Sequence, residues 1–261
     1  MLSGKTDKRY YEGVQAYFGD DQDRALAAFA EVLASEPDTP SAHLVSALCV
    51  GSTGGDNAEQ IRHLEAVVTS EVGMPDRLQL KYLPPGMVTL GLSVKVTENI
   101  SAQASFDAVG ATLMLAEMYQ QAGRLEEAIG LVQQLHEASP SDPTIRLSLA
   151  DLLMADEDHE AVVELLGGVT NTDDVGVAML HLKGAALTAL GHQTAGLEAL
   201  RDALAKTSGR DPQLLKVVRY DRALAYEVAG QHGRAKQDLE RVYAQDPTYE
   251  DVRERLASTN G

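Results

Sequence analysis

The sequence predicts an all-α protein: a right-handed α-solenoid of about six helix pairs, closed by a C-terminal capping helix and interrupted by one inserted β-hairpin. Three observations predict it. A pattern of small, aromatic, glycine and proline positions returns at a period of about 34 residues. Aromatic residues are 5% of the chain and Trp is absent, so the core must be built from Ala, Leu and Val, which suits close-packed helices better than stacked sheets. One stretch alone breaks the helical period: in MVTLGLSVKVTENISAQAS, residues 87–105, apolar Val88, Leu90, Leu92, Val94 and Val96 alternate with polar or small residues, as in a strand with one buried face.

The repeat is clearest in two copies. In residues 222–247, Ala223, Tyr226, Gly230, Ala235, Leu239, Val242 and Pro247 set the spacing. In residues 115–140, Ala116, Tyr119, Gly123, Ala128, Val132, Leu135 and Pro140 fall at the same offsets. A third copy places Gly184, Leu187, Gly191, Gly196, Leu200 and Ala203 in register, with Gly191 lying 68 residues after Gly123. The N-terminal copy has Gly13, Ala16, Ala25, Phe29, Val32 and Pro37; Gly19 comes one place early and Asp20 takes the slot of the turn glycine. Two degenerate copies occupy 42–68 and 146–166.

Each copy reads as two antiparallel helices. The small residues let the helices approach, the glycine accepts the left-handed conformation that ends the first helix, and the proline stops the second. One pair cannot bury its apolar face alone, so copies must stack. The organisation expected is helix pairs 1 and 2 over residues 1–75, a linker carrying the hairpin over 76–105, helix pairs 3–6 over 106–247, and a capping helix and tail over 248–261. The hairpin strands are expected at about 87–96 and 100–105, around a turn at 97–99, with Val96 opposite Ile100, Val94 opposite Ala102 and Leu92 opposite Ala104. A lone hairpin is marginal in water, so its apolar face needs a cover, from adjacent helices or from a partner.

This pattern resembles the tetratricopeptide repeat (TPR) over nearly the whole chain outside residues 71–105, although the Trp of the first helix is lacking. The chain is also similar to bacterial TPR proteins near RYDRALAYEVAGQHGRAKQDLERVYAQDPTYEDV, and its Ala, Val, Asp and Gly content suits an actinobacterium.

Composition narrows the partners. Lys and Arg total 22 against 39 Asp and Glu, a formal charge of −17. Phosphate contacts need clustered cations, so neither nucleic acid nor an anionic membrane is an expected partner. The single cysteine, Cys49, has no internal disulfide partner and reads as a small buried hydrophobe. No stretch approaches 18 apolar residues, and the expected location is cytoplasmic. No feature indicates a homo-oligomer.

Fragments that resemble catalytic signals have simpler readings. SGKT at 3–6 lacks the preceding glycine and strand of a phosphate-binding loop, and Ser3, Thr6 or Asp7 is expected to cap the first helix instead. The acidic clusters at 20–23 and 156–158 lack the spread of a calcium loop and are expected to cap the helices that follow. His136, His159, His181, His192 and His232 have no metal-ligand spacing, and His43 and Cys49 fall on different helical faces. No catalytic residue, metal site or cofactor is expected.

The TPR resemblance implies a concave groove lined by the first helix of each pair. The residues facing it lie three before, one after and four after the small position. They are Tyr10, Val14 and Tyr17; Leu113, Glu117 and Gln120; Leu147, Asp151 and Met154; His181, Ala185 and Thr188; and Tyr220, Leu224 and Glu227. TPR adaptors that clamp a terminal carboxylate use Lys, Arg and Asn there, whereas Tyr, Leu, Met and acids would favour an apolar or basic peptide. The function expected is therefore a non-enzymatic adaptor or scaffold binding a protein or peptide segment. The alternatives are a regulatory peptide-sensing module and a scaffold subunit of a larger enzyme or regulatory complex.

Overall fold

A computed structural model describes residues 4–83, 92–97 and 100–258. Six helix pairs follow one another in the chain: α1 (Lys5–Phe18) with α2 (Gln22–Ser35), α3 (Pro40–Ser52) with α4 (Asn57–Val68), α6 (Ala108–Gln121) with α7 (Leu125–Ala138), α8 (Pro143–Ala155) with α9 (His159–Leu165), α10 (Asp174–Ala189) with α11 (Gln193–Ala203), and α12 (Pro212–Val228) with α13 (His232–Gln245). A short α5 (Arg77–Tyr82) follows the second pair and α14 (Val252–Ser258) ends the described chain. The helices fall into two compact units, α1–α6 with most of α7, and α8–α14.

Two short strands, β1 (Leu92–Thr97) and β2 (Ile100–Ala104), are neighbours in a two-stranded sheet. This corrects the limits expected for the hairpin: Thr97 belongs to β1 rather than to the turn, and β2 stops at Ala104. Residues 87–91 and 98–99, and the side chains of the expected cross-strand pairs, lie outside the described residues.

The repeat is visible in its turns. Gly123, Gly191 and Gly230 have φ of +75°, +83° and +68°, and Asp20 and Glu157 take the same left-handed conformation at 60° and 61°. In each pair the next amide folds back onto the last turn of the first helix. Asp21 N–H donates to the Ala16 carbonyl, Arg124 to Tyr119, Asp158 to Leu153, His192 to Leu187 and Gln231 to Tyr226, at 2.8–3.0 Å. That is the Schellman closure of a helix C-terminus. The backbone demand is thus constant while the side chain varies, and Asp20 holds the position that the register assigned to it. Asp21 and Asp158 then cap α2 and α9, accepting from the Arg24 and Ala161 amides.

Close approach of paired helices also follows the repeat. A Cβ on Gly13 would stand 2.9 Å from the Phe29 ring, and one on Gly184 would stand 2.8 Å from Leu200 and 3.1 Å from the Gly196 carbonyl. Ala25, Ala116, Ala128, Ala150, Ala223 and Ala235 are buried at the corresponding small positions. In the last pair Ala223, Tyr226, Ala235, Leu239 and Val242 form one cluster with Val252 of α14, against which Tyr249 and Leu256 pack. α14 therefore covers part of the apolar face of this pair.

The short α5 is fixed by two carboxylates. Asp76 Oδ1 accepts from the Leu78 and Gln79 amides and Oδ2 from the Ser41 amide, capping α5 and α3 together. Asp7, buried on α1, accepts from Arg77 at 2.8 Å, Tyr82 at 2.8 Å and Lys81 at 2.5 Å. The expected capping role of Asp7 is corrected: α1 starts after Gly4 with no side-chain cap, and Asp7 ties α5 to α1 instead.

Candidate functional site

A cleft of about 420 Å³ opens between α10 and α12. His181, Ala185, Thr188 and Ala189 line it from α10, Asp221, Leu224, Ala225 and Val228 from α12, and Leu200 from α11. The lining is mostly apolar, and Val228 is 70% exposed. Two polar features are set into it. Thr188 spends its hydroxyl hydrogen on the Gly184 carbonyl at 2.8 Å. His181 Nε2 meets Asp221 Oδ2 at 2.5 Å, joining the two helices and, among the described residues, leaving the second carboxylate oxygen of Asp221 for another donor. The cleft can hold an apolar side chain beside a cationic or N–H-bearing group.

Of the residues expected to face the groove, the structure brings His181, Ala185, Thr188 and Leu224 together here. Tyr220 and Glu227 lie elsewhere, against the end of the chain. Tyr220 donates to Asp251 at 2.5 Å, and Arg255 of α14 bridges Glu227 at 2.5 Å and Asp251 at 2.7 Å. Those hydrogen bonds pull the Asp251 carboxyl below the usual carboxylate range. On α8, Leu147 is fully buried, while Asp151 and Met154 are half-buried.

In the first unit the expected groove residues are mostly consumed by packing. Tyr10 is fully buried, stacked edge-on to Phe29 at 5.5 Å, and its hydroxyl donates to Ser41 Oγ at 2.7 Å. Val14 and Leu113 are buried as well. For these three the groove expectation is corrected, because no surface remains to meet a partner. Tyr17, Glu117 and Gln120 are half-buried.

A smaller cleft of about 280 Å³ in this unit is lined by Leu26, Ala27, Ala30, Leu33, Ser46, Glu59 and His63. Behind it, His43 Nδ1 and His63 Nδ1 lie 2.8 Å apart, and His43 Nε2 lies 3.0 Å from the Pro37 carbonyl. A carbonyl only accepts, so His43 carries its proton on Nε2 and His63 donates from Nδ1. Burial holds both rings below the ordinary histidine range, His63 at about 4. Burial likewise pushes the Cys49 thiol up to about 12. Among the described residues, no group of three or more His, Cys, Asp or Glu is placed to hold a metal ion. No described helix is long and apolar enough to cross a membrane.

With this geometry in place, the family model described as T7SS, ESX-1 secretion system protein EccA1, N-terminal domain, matches residues 7–260. The chain belongs to the EccA1 N-terminal domain family. The crystal structure of the N-terminal domain of the EccA1 ATPase from the ESX-1 secretion system of Mycobacterium tuberculosis has a similar fold, with a TM-score of 0.70 at 16% identity over 98% of this chain and 90% of that one. TPR folds follow: the APC/C Cut9–Hcn1 hetero-tetramer, with a TM-score of 0.54 at 15% identity over 95% of this chain and 41% of that one, and MamA AMB-1, at 0.50 and 15% over 80% and 92%. Among curated proteins there is no match. The TPR fold read from the repeat is thus shared with solved structures.

In this EccA1-family chain, the sequence template missed Asp221, Ala225 and Val228 for a geometric reason. A cleft between parallel neighbours is lined by the facing flanks of two helices, not by the same face of each. On α12 that flank is one residue further on, a rotation of about 100°. Shifting the template by one position on the second helix of each cleft would have found all three.

Proposed function

We propose that this chain is a non-enzymatic interaction domain in which the α10–α12 cleft docks an apolar side chain of a partner segment, with a basic residue of that segment against Asp221. The single observation that carries this reading is the pairing of an open apolar lining with one carboxylate whose second oxygen remains available. Apolar anchors in desolvated pockets supply most of the binding energy at such surfaces, and the charge fixes register. Membership of the EccA1 N-terminal domain family supports a setting in which the chain serves a secretion ATPase as its docking or scaffold domain, in the cytoplasm, with the chemistry held elsewhere. The net charge of −17 supports a basic rather than an acidic occupant for this cleft.

The test is selection from a random-peptide display library against the chain. Enriched peptides should carry a Leu, Ile, Phe or Met next to Lys or Arg, and their binding should be lost on Ala189→Arg, which places a long cation in the cleft. Enrichment of peptides without a basic residue, or binding untouched by Ala189→Arg, would refute the reading.

A further inference from the structure

Acids outnumber bases in this chain by 39 to 22, so a cation should find a carboxylate easily. Arg9, Arg62, Arg77, Arg124 and Arg255 each do. In the last helix pair Lys216 and Arg222 do as well, and the half-buried Arg219 departs from this. Arg219 and Arg222 stand one turn apart on α12, and Asp238 and Arg241 stand one turn apart on α13. Arg222 binds Asp238 through two nitrogens at 2.8 and 2.9 Å, which occupies both oxygens of that buried carboxylate. Arg241 reaches it only at 3.9 Å. Arg219 is half-buried and, among the described residues, makes neither an ion pair nor a side-chain hydrogen bond. Burial and the charges of Arg241 and Arg222 all act against its protonated form, and Asp238 alone is set against them. Nearby, Arg201, Arg222 and Arg234 surround the Tyr226 ring with guanidinium carbons 5.5–5.8 Å from its centre.

Holding a desolvated guanidinium beside two others costs stability unless something else offsets it. Against Arg219, Arg222 and Arg241 stands the one carboxylate of Asp238, so the group carries a local excess of positive charge. We propose that Arg219, Arg222 and Arg241 form a second docking surface, which binds a carboxylate-rich peptide segment of a partner protein. The planar guanidinium fork suits paired carboxylates; Arg241 is exposed and held to Asp238 only at 3.9 Å, and the half-buried Arg219 lies one turn from Arg222 on α12. A short acidic segment fits better than a nucleic acid. The basic surface spans only a few turns, whereas the net charge of −17 repels any long polyanion that extends beyond it.

The experiment titrates a fluorescein-labelled tetra-glutamate peptide into the full chain by fluorescence anisotropy, with tetra-lysine, a 12-nucleotide single-stranded DNA and inorganic phosphate as comparisons. The surface predicts saturable binding of tetra-glutamate that weakens at least tenfold between 50 and 300 mM salt and at least tenfold in the Arg219→Gln, Arg241→Gln variant. It also predicts that Arg219→Met alone leaves the melting temperature unchanged or raises it, since a desolvated, repelled charge is removed. A clear fall in melting temperature for Arg219→Met would make Arg219 structural and overturn the proposal. Absence of tetra-glutamate binding, binding unaffected by the double substitution, tighter binding of the DNA, or full competition by phosphate at equal carboxylate concentration would each overturn it as well.

Discussion

His181 and Asp221, forty residues apart in sequence, meet at 2.5 Å and join α10 to α12 within the lining of one cleft. Both are partly exposed, so the pair contributes little to stability, about 0–1 kcal/mol. Its consequence is for recognition. Asp221→Ala should change the melting temperature by less than about 3 °C, while weakening a selected basic–apolar peptide about tenfold. Calorimetric titration beside thermal melting checks both halves.

The glycines of the helix pairs separate into two kinds. A Cβ on Gly196 would lie 2.4 Å from Thr188 Oγ1 and 2.8 Å from the Gly184 carbonyl, and backbone cannot yield as a side chain can. Gly196→Ala should cost about 2–3 kcal/mol. Gly130, inside α7, has nothing within 4 Å of such an atom, so Gly130→Ala should stabilise by about 0.5–1 kcal/mol. Denaturant unfolding of the two variants should move the midpoint in opposite directions.

Asp7 is the buried end of a charge cluster whose cationic members reach solvent, with the Arg77 side chain 56% exposed and that of Lys81 37%. Removing the carboxylate lets both cations return to water, so Asp7→Asn should cost about 2 kcal/mol rather than the full penalty of a stranded charge. Tyr10→Phe, which removes the donor to Ser41, should cost about 1 kcal/mol. Hydrogen exchange on Asp7→Asn should show early opening of α5, the element that Asp7 holds.

The His43–His63 pair makes acid stability predictable in sign. Both rings have folded values below 6.5, with His63 at about 4. Well above pH 6.5, from about pH 8, they are neutral in folded and unfolded chains alike and contribute no pH dependence. As pH falls from about 7.5 toward 4, the unfolded chain takes up protons that the folded chain refuses, so stability declines, with the larger share from His63. In His63→Gln the fall in stability between pH 7 and pH 5 should be shallower than in the parent. An unchanged slope would show that the ring is not held neutral.

The period of the fold was legible because it is written in residues that the backbone itself requires. Gly123, Gly191 and Gly230 mark turns by their freedom at positive φ, and the register then placed Asp20 in a turn that its side chain alone would not have indicated. The candidate cleft was half legible. His181, Ala185, Thr188 and Leu224 follow from helical spacing, but Asp221, Ala225 and Val228 depend on how α12 is rotated against its neighbour, which no single-helix template contains. Tyr10 was misplaced for a related reason. Its spacing is that of a groove residue, yet Ser41 and the Tyr82 ring, 6.1 Å away, close over it, and Tyr82 belongs to a short helix read only as linker. Tyr220 and Glu227 were taken up by Asp251 and Arg255 at the far end of the chain.

Whether a partner docks in the α10–α12 cleft can be read by site-specific photo-crosslinking. A photoreactive benzophenone amino acid placed at Ala189, in the lining, and separately at Tyr243, on the exposed side of α13, would be irradiated with the display-selected peptide. Docking in the cleft should give a covalent adduct at position 189 that excess unlabelled peptide abolishes, and none at 243. Equal adducts at both positions, or an adduct at 243 alone, would contradict it.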